Sequence, residues 1–350
     1  SVHADRENND LIITAKSSDQ PGSGGTCLGF LSSKSGHGHL PIELARVSRE
    51  EVSMSAQLGR LRDLAVSSRQ ADLTSAYQQL KVLPTAPDFE GIATAGVLHG
   101  PSATEGSVAV SGLIVEMREH WNLIHVVKRV ITQLGIPVTL VHSAGNRDFI
   151  LASRFVKSAL KRGKLHLVEL GLSNINRAQY NALFLTENLW GTIFPARQVL
   201  VFQTDSTICS SSPYSLKSFE SIDYVGSFMR NPRPTGLEIA GGNGGLSLRN
   251  VSRTLEAIRL GVPEHWPGGE DDYFGAHIEL FGGNVAEDDM CKRFSSQTVF
   301  EERSFGVHNI GGLARKDFAR IVLYCPDAVR CHRGALFGWP LAELMSRFRR

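Results

Sequence analysis

The sequence predicts an α/β protein whose largely parallel central sheet is covered by helices on both faces. From about residue 107, short apolar runs alternate with amphipathic segments in a β-α-β-α-β order. The apolar runs end in polar clusters, as expected where strand ends open onto a ligand. Composition is ordinary for a globular chain, with 42% hydrophobic and 21% charged residues among 350.

Residues 1–37 are rich in Ser, Gly, Asp and Asn, and SSDQPGSGG reads as a linker, so weak order is expected there. Ser48 with Glu51 forms a capping box, and Met54, Leu58, Leu61 and Ala65 line one helical stripe. A second helix is expected from Asp72 to Leu83, followed by a connector marked by Pro84, Pro87 and residues 98–106. Residues 1–105 thus read as a partly disordered, partly helical extension, and 106–350 as the α/β domain.

Within that domain Val108–Val115 is the first expected strand. Leu123–Leu134 is a helix with the stripe Ile124, Val127, Ile131 and Leu134, stopped by Gly135. Pro137–His142 is a strand, Phe149–Leu160 a helix, Leu165–Leu170 a strand, and 178–190 helical. Gln198–Gln203 is a short apolar strand running into polar residues.

The net charge of +2, from 37 basic and 35 acidic side chains, argues against a nucleic-acid binder. No run of eighteen apolar residues appears, so no segment of the sequence spans a bilayer. The opening SVHADRENND reads as a truncated or processed start, and membrane attachment is expected only through an N-terminal anchor absent from this sequence. Five cysteines lack zinc-ligand spacing; Cys325 and Cys331 could pair, or remain buried thiols. Asn250-Val251-Ser252 is a glycosylation sequon. The compartment stays open, with the secretory pathway preferred to the cytoplasm.

Four clusters carry chemistry. In VLVFQTDS the strand delivers Asp205 to the ligand edge, where a carboxylate can hold a hard cation that bridges phosphate oxygens. The same Asp could simply cap the following turn. In GGNGGLSLR four glycines around Asn243 let backbone approach a ligand, or make a flexible hairpin, and Leu246 and Leu248 alternate as a buried strand. In WPGGEDDYF the carboxylates Glu270, Asp271 and Asp272 open a helix. They complement its dipole, or supply a general base, with Trp266 offering a flat surface to a sugar. In SFGVHNIGG the imidazole of His308 can complete a cation site, although a lone His is commonly structural.

The order of these clusters resembles a family of uncharacterised glycosyltransferase-like proteins of microbes and fungi. The Trp-x-Gly-Gly-Glu-Asp-Asp stretch and the later His are also similar, more distantly, to β-1,4-galactosyltransferases. GLIVEMREHWNLIHVV (112–127) and NRAQYNALFLTENLW (176–190) share in the resemblance, which covers about 107–315. It implies a GT-A-like (Rossmann-like) domain and transfer from a nucleotide-diphosphate donor, UDP-sugar favoured, to a hydroxyl acceptor. It implies Mn2+ or Mg2+ as cofactor, held by Asp205 and His308. It implies Asp271 as the base of an inverting reaction, with Glu270 engaging the acceptor. Thr204 and Asn243 fall within the donor-binding motifs, and Gly244 and Gly245 would line the donor sugar or acceptor. Glu116 and Arg118 fall where such folds hold the nucleotide base, with Asn181 a further nucleotide candidate. Gln203 stands where the usual Asp-x-Asp motif has its first carboxylate, which questions the usual ribose and metal contacts.

A nucleotide-sugar hydrolase or nucleotidyltransferase is a rival, though GLIVEMREH lacks a Gly-rich phosphate loop. A non-catalytic carbohydrate-binding or scaffold protein on the same fold is another.

Overall fold

The computed structural model describes residues 69–93 and 107–331, together with the backbone of three N-terminal strands. Those strands, Val2–Glu7 (β1), Asp10–Ala15 (β2) and Cys27–Ser32 (β3), pair antiparallel in that order within the segment expected to be weakly ordered. The capping box and stripe of residues 48–65 lie outside the described residues.

Residues 69–77 (α1) and Phe89–Ala93 (α2) are helical. The helix expected over 72–83 therefore stops at 77, where the chain turns into the proline-bearing segment. Tyr77 and Ile92 join the core of the following domain. Backbone bonds from Leu83 to Pro267 (2.9 Å) and from Asp88 to Ala178 (3.1 Å) fasten this segment there.

The domain alternates as expected through Val108–Val115 (β4), Leu123–Leu134 (α3), Val138–Ser143 (β5), Arg147–Ala152 (α4), Arg154–Lys161 (α5) and Leu165–Leu170 (β6). Arg177–Phe184 (α6), Glu187–Trp190 (α7) and Ala196–Phe202 (β7) follow. Then come Ser206–Ile208 (β8), Tyr224–Ser227 (β9), Asn243–Asn250 (β10), Val251–Leu260 (α8) and Glu270–Leu280 (α9). Asp288–Phe294 (α10), Ser295–Ser296 (β11), Gly306–His308 (β12) and Arg315–Tyr324 (α11) complete the described strands and α-helices, and a 3-10 turn at Pro326–Cys331 follows.

Two of the expected helices are broken. The 149–160 helix divides at Ser153, whose extended backbone and hydroxyl cap α5. The 178–190 helix divides between α6 and α7 at Leu185 and Thr186. On α3 the buried face is Leu123, Val126, Val127, Val130 and Ile131, leaving Ile124 and Leu134 half-buried. The cysteine expectation is also corrected: Cys325 pairs with Cys209, not Cys331, and Cys291 and Cys331 are buried free thiols. Cys209 and Cys325 meet within one hydrophobic cluster that includes Val307 and Ile321, a meeting that sequence proximity does not give.

The main sheet runs β6-β5-β4-β7-β10-β9. β6, β5, β4 and β7 are parallel, while β10 runs antiparallel to both its neighbours, so the fold is the mostly parallel α/β class expected. Alternation assigns the two faces. Leu113, Val115, Val199 and Val201 pack under α6 to α9, whereas Ile114, Leu200, Phe202, Leu246 and Leu248 face α3, α5 and α10. A second, three-stranded sheet has the order β11-β12-β8.

Candidate functional site

The parallel strands β4 and β7 end side by side, and the residues just past them line a cavity of about 630 Å³. Its wall includes Glu116, Arg118, Trp121, Tyr180, Gln203, Thr204 and Asp205. This is the strand-end position where an open α/β sheet takes its ligand.

Asp205 begins the turn after β7, and His308 closes β12, which pairs antiparallel with β8 so that His308 faces Ser206. This register sets His308 Nε2 at 3.4 Å from Asp205 Oδ1. Gln203 Oε1 lies 3.3 Å from the same nitrogen. Gln203 and His308 are each oriented from behind. The Gln203 amide donates to Tyr180 Oη at 3.0 Å, which turns its oxygen toward His308. Gln297 Oε1 lies 3.2 Å from His308 Nδ1 and favours the tautomer that leaves Nε2 free to ligate. Tyr180 is half-buried at the cavity wall, and desolvation pushes its hydroxyl above the usual phenol range, so it stays neutral. Three groups able to accept, a carboxylate, an imidazole and an amide oxygen, thus converge at the cavity edge. That donor set suits a hard or borderline divalent cation whose remaining positions come from phosphate or water. Among the described residues, no three His, Cys, Asp or Glu side chains gather in this way.

Glu116 is buried and accepts a bidentate pair from Arg118 Nε and Nη2, both at 2.8 Å. Thr204 Oγ1 donates to Glu116 Oε2 at 3.4 Å, linking the two strand ends. The carboxylate is therefore already engaged, and Arg118, largely exposed, is the member of the pair that faces solvent.

The glycine cluster explains itself once β10 is in place. Its pairing with β9 shifts between Asn243 and Ser247, a bulge that carries Gly244 and Gly245 against the site. A Cβ on Gly245 would overlap the His308 imidazole and come within 2.8 Å of Gln203 Oε1. One on Gly244 would overlap the Glu270 carboxylate and lie 3.1 Å from Asp271 Cβ. Two consecutive glycines thus seat the metal-candidate residues on one side and the acidic helix start on the other.

Asp271 is the second residue of α9, half-buried, with its carboxylate fixed by three donors. Oδ2 accepts from Asn243 Nδ2 at 3.0 Å and Gly244 N at 3.3 Å, and Oδ1 accepts from Asp272 N at 3.0 Å. Asp271 is not part of the wall of the 630 Å³ cavity. Glu270 is occupied differently from Asp271. Its two oxygens receive Arg249 at 2.6 and 3.1 Å, and Arg249 is fully buried among Phe184, Trp190, Tyr224 and Phe274. Burial raises the Glu270 pKa and Arg249 opposes it. Asp272 points away toward Arg233 at 3.6 Å, and burial together with the Asp271 charge pushes its pKa up to about 7.

Asn181 lies under α9, donating to Thr85 O at 2.5 Å and accepting from Glu270 N at 3.4 Å, so it ties the N-terminal segment to the acidic turn. Trp266 is 3% exposed and packs edge-on against Tyr77, Tyr273 and His277, which removes it as a surface for a sugar. The structure thus joins Asp205, His308, Gly245, Gly244, Asn243 and Asp271 in one contiguous arrangement, with Glu116, Arg118 and Thr204 along the cavity. Tyr180, Gln297 and Trp121 escaped the sequence reading. A Tyr or Gln orienting a neighbour has no local pattern, and a cavity-facing Trp reads like any core Trp.

A family described as "Protein of unknown function (DUF5672)" matches residues 167–308, under half of the chain, a stretch that contains Asp205, the β10 glycines, Asp271 and His308. No curated protein matches. Among solved structures, the apo-form glycosyltransferase GlyE of Streptococcus pneumoniae TIGR4 is similar at TM-score 0.37 and 12% identity, over 69% of this chain and 64% of that one. The mannosyltransferase PcManGT of Pyrobaculum calidifontis, solved with GDP-Man and Mn2+, is similar at TM-score 0.33 and 15% identity, over 64% of this chain and 65% of that one. The chain spans under two thirds of the length of either structure. At these scores the likeness carries no argument about chemistry. Neither is described as a β-1,4-galactosyltransferase, so that part of the resemblance gains nothing from them.

Proposed function

We propose that this chain is a metal-dependent glycosyltransferase that moves a sugar from a nucleotide-diphosphate donor, UDP-sugar favoured, to a hydroxyl acceptor with inversion. The observation that carries the proposal is the Gly244-Gly245 pair, which packs against Asp271 on one side and His308 on the other. A phosphate-side group and a base-side group thereby flank the same two residues of backbone.

Asp205 and His308 would hold Mn2+ or Mg2+, with Gln203 Oε1 turned to the same point. When bound, the cation supplies countercharge to the departing diphosphate. The cavity beside Asp205 takes the nucleotide, and Arg118 adds positive charge along it. Asp271, held by Asn243 and the Gly244 amide, takes the proton of the attacking hydroxyl, a role that contributes roughly 10²–10⁴-fold. Glu270 acts through the fold, anchoring the start of α9 on Arg249 so that Asp271 keeps its place. The Cys209–Cys325 disulfide supports an oxidising compartment, in keeping with the secretory pathway.

The test is nucleotide release from a panel of UDP- and GDP-sugars, with Mn2+ or EDTA, for wild type and Asp205→Ala. Metal-dependent release from one donor, abolished by the substitution, is expected. Sugar binding indifferent to Mn2+ and to Asp205→Ala, with no release, would instead favour a carbohydrate-binding module.

A further inference from the structure

The segment that follows β4 is held rigidly by its backbone. Asn146 Nδ2 donates to Glu116 O at 2.7 Å and to Arg118 O at 3.1 Å, and Ser143 Oγ donates to Met117 O at 2.8 Å. Asn122 Nδ2 donates to Thr204 O at 2.7 Å, binding the far end of the segment to the turn that carries Asp205. Every one of these bonds fixes main chain. Between them the Trp121 side chain is left 48% exposed and lines the cavity that also contains Asp205. The other described tryptophans, Trp190 and Trp266, are each 3% exposed in the core. Trp121 does not stand alone. His120 stacks beside it with ring centroids 5.7 Å apart and planes at 30°, and the Arg330 guanidinium lies 5.6 Å from its ring centre.

An exposed indole costs hydration free energy, and here the surrounding hydrogen bonds prevent its loop from collapsing to bury it. A flat π-system with a guanidinium over the ring, standing in the same cavity as a phosphate-side carboxylate, matches a flat heteroaromatic ring joined to a diphosphate. We infer that Trp121 is the stacking wall for the nucleobase of the donor, with the Arg330 guanidinium held over the indole. This deepens the nucleotide-sugar reading and rests on it. Stacking tolerates any base, so Trp121 supplies affinity, and choice between bases falls to polar groups elsewhere in the cavity.

The experiment measures affinity of the full chain for UDP, for GDP and for inorganic pyrophosphate, each with Mn2+, by calorimetry on wild type, Trp121→Phe and Trp121→Ala. Circular dichroism melting verifies that the variants fold, as a half-exposed side chain allows. Trp121→Ala should weaken the nucleotide that binds wild type by roughly five- to a hundred-fold, the range of one base–aromatic stack. Trp121→Phe should restore most of that loss, and pyrophosphate affinity should not change. Indole fluorescence quenching by the nucleotide should vanish in Trp121→Phe.

Nucleotide affinity unchanged in Trp121→Ala overturns the assignment while leaving the transferase reading intact. Equal losses for nucleotide and pyrophosphate also overturn it, since Trp121 would then act through the loop. If wild type binds neither nucleotide, the inference and the reading beneath it fall together.

Discussion

The Asp205 carboxylate and the His308 imidazole meet at 3.4 Å because β8 and β12 pair antiparallel with Ser206 opposite His308. Nothing local to either residue foretells the other. The small sheet is the device that brings them together, and its register decides which atoms face each other.

Gly245 is the closest constraint on that pair. Alanine there needs no unusual backbone, but its Cβ would occupy the space of the imidazole and crowd Gln203 Oε1. Gly245→Ala should lower Mn2+ affinity by roughly ten- to a hundred-fold, the usual effect of displacing an orienting contact. Electron paramagnetic resonance of free Mn2+ reads this without any need for turnover. Unchanged affinity would remove His308 from the cation set.

Asp271→Asn keeps the shape of the contact with Asn243 and Gly244 but cannot take a proton. Turnover should fall by roughly 10²–10⁴-fold while nucleotide affinity stays within about twofold of wild type. An equal fall in both would make Asp271 a binding residue. The configuration of the product by NMR is the companion measurement, and retention would exclude the single-displacement role.

Glu270→Gln leaves Arg249 as an uncompensated charge inside an aromatic enclosure. Removing one partner of a buried pair costs roughly 3–5 kcal/mol. Urea denaturation should show that loss, and replacement of both partners by apolar residues of similar volume should recover much of it. A Gln variant as stable as wild type would mean that the pair contributes specificity alone.

Two buried groups give opposite pH dependences. Asp272 holds its proton in the folded chain up to about pH 7, against 3.8 as its ordinary value, so its contribution to stability falls as pH rises through that window and is flat above it. His277, lowered by burial from 6.5 to about 4, resists protonation, so its contribution is lost as pH falls through 6.5 toward 4. The two trends oppose each other in wild type. Asp272→Asn removes the first, and its stability should therefore climb more steeply than that of wild type between pH 4 and 6.5 in urea titrations. Parallel curves would show that Asp272 does not carry the raised pKa.

Local pattern made much of this legible. The apolar runs ending at Val115, Leu170 and Phe202 are long enough and bounded clearly enough to read as strands, and Glu270 opens a helix as its acidic run suggests. The helix breaks at Ser153 and near Thr186 were hidden, because the apolar spacing continues across them while the chain changes direction to follow the sheet. Among the carboxylates, local pattern did not tell Glu270, Asp271 and Asp272 apart, and only the family resemblance singled out Asp271 as the base and Glu270 as an acceptor contact. Three consecutive positions on a helix project about 100° apart, so one meets Arg249, one meets the β10 bulge and one meets Arg233.

What the sequence by itself determined is the class of sheet, the placement of polar clusters at strand ends, and the identity of the residues that could do chemistry. These follow from backbone periodicity and side-chain type, which act over a few residues. The tertiary structure alone decided that Cys209 bonds Cys325, that Trp266 is core while Trp121 faces the cavity, and that Gln203, Asp205 and His308 converge. Each of those outcomes depends on strand register and on which helix covers which face, and such contacts are set by packing between segments distant in the chain.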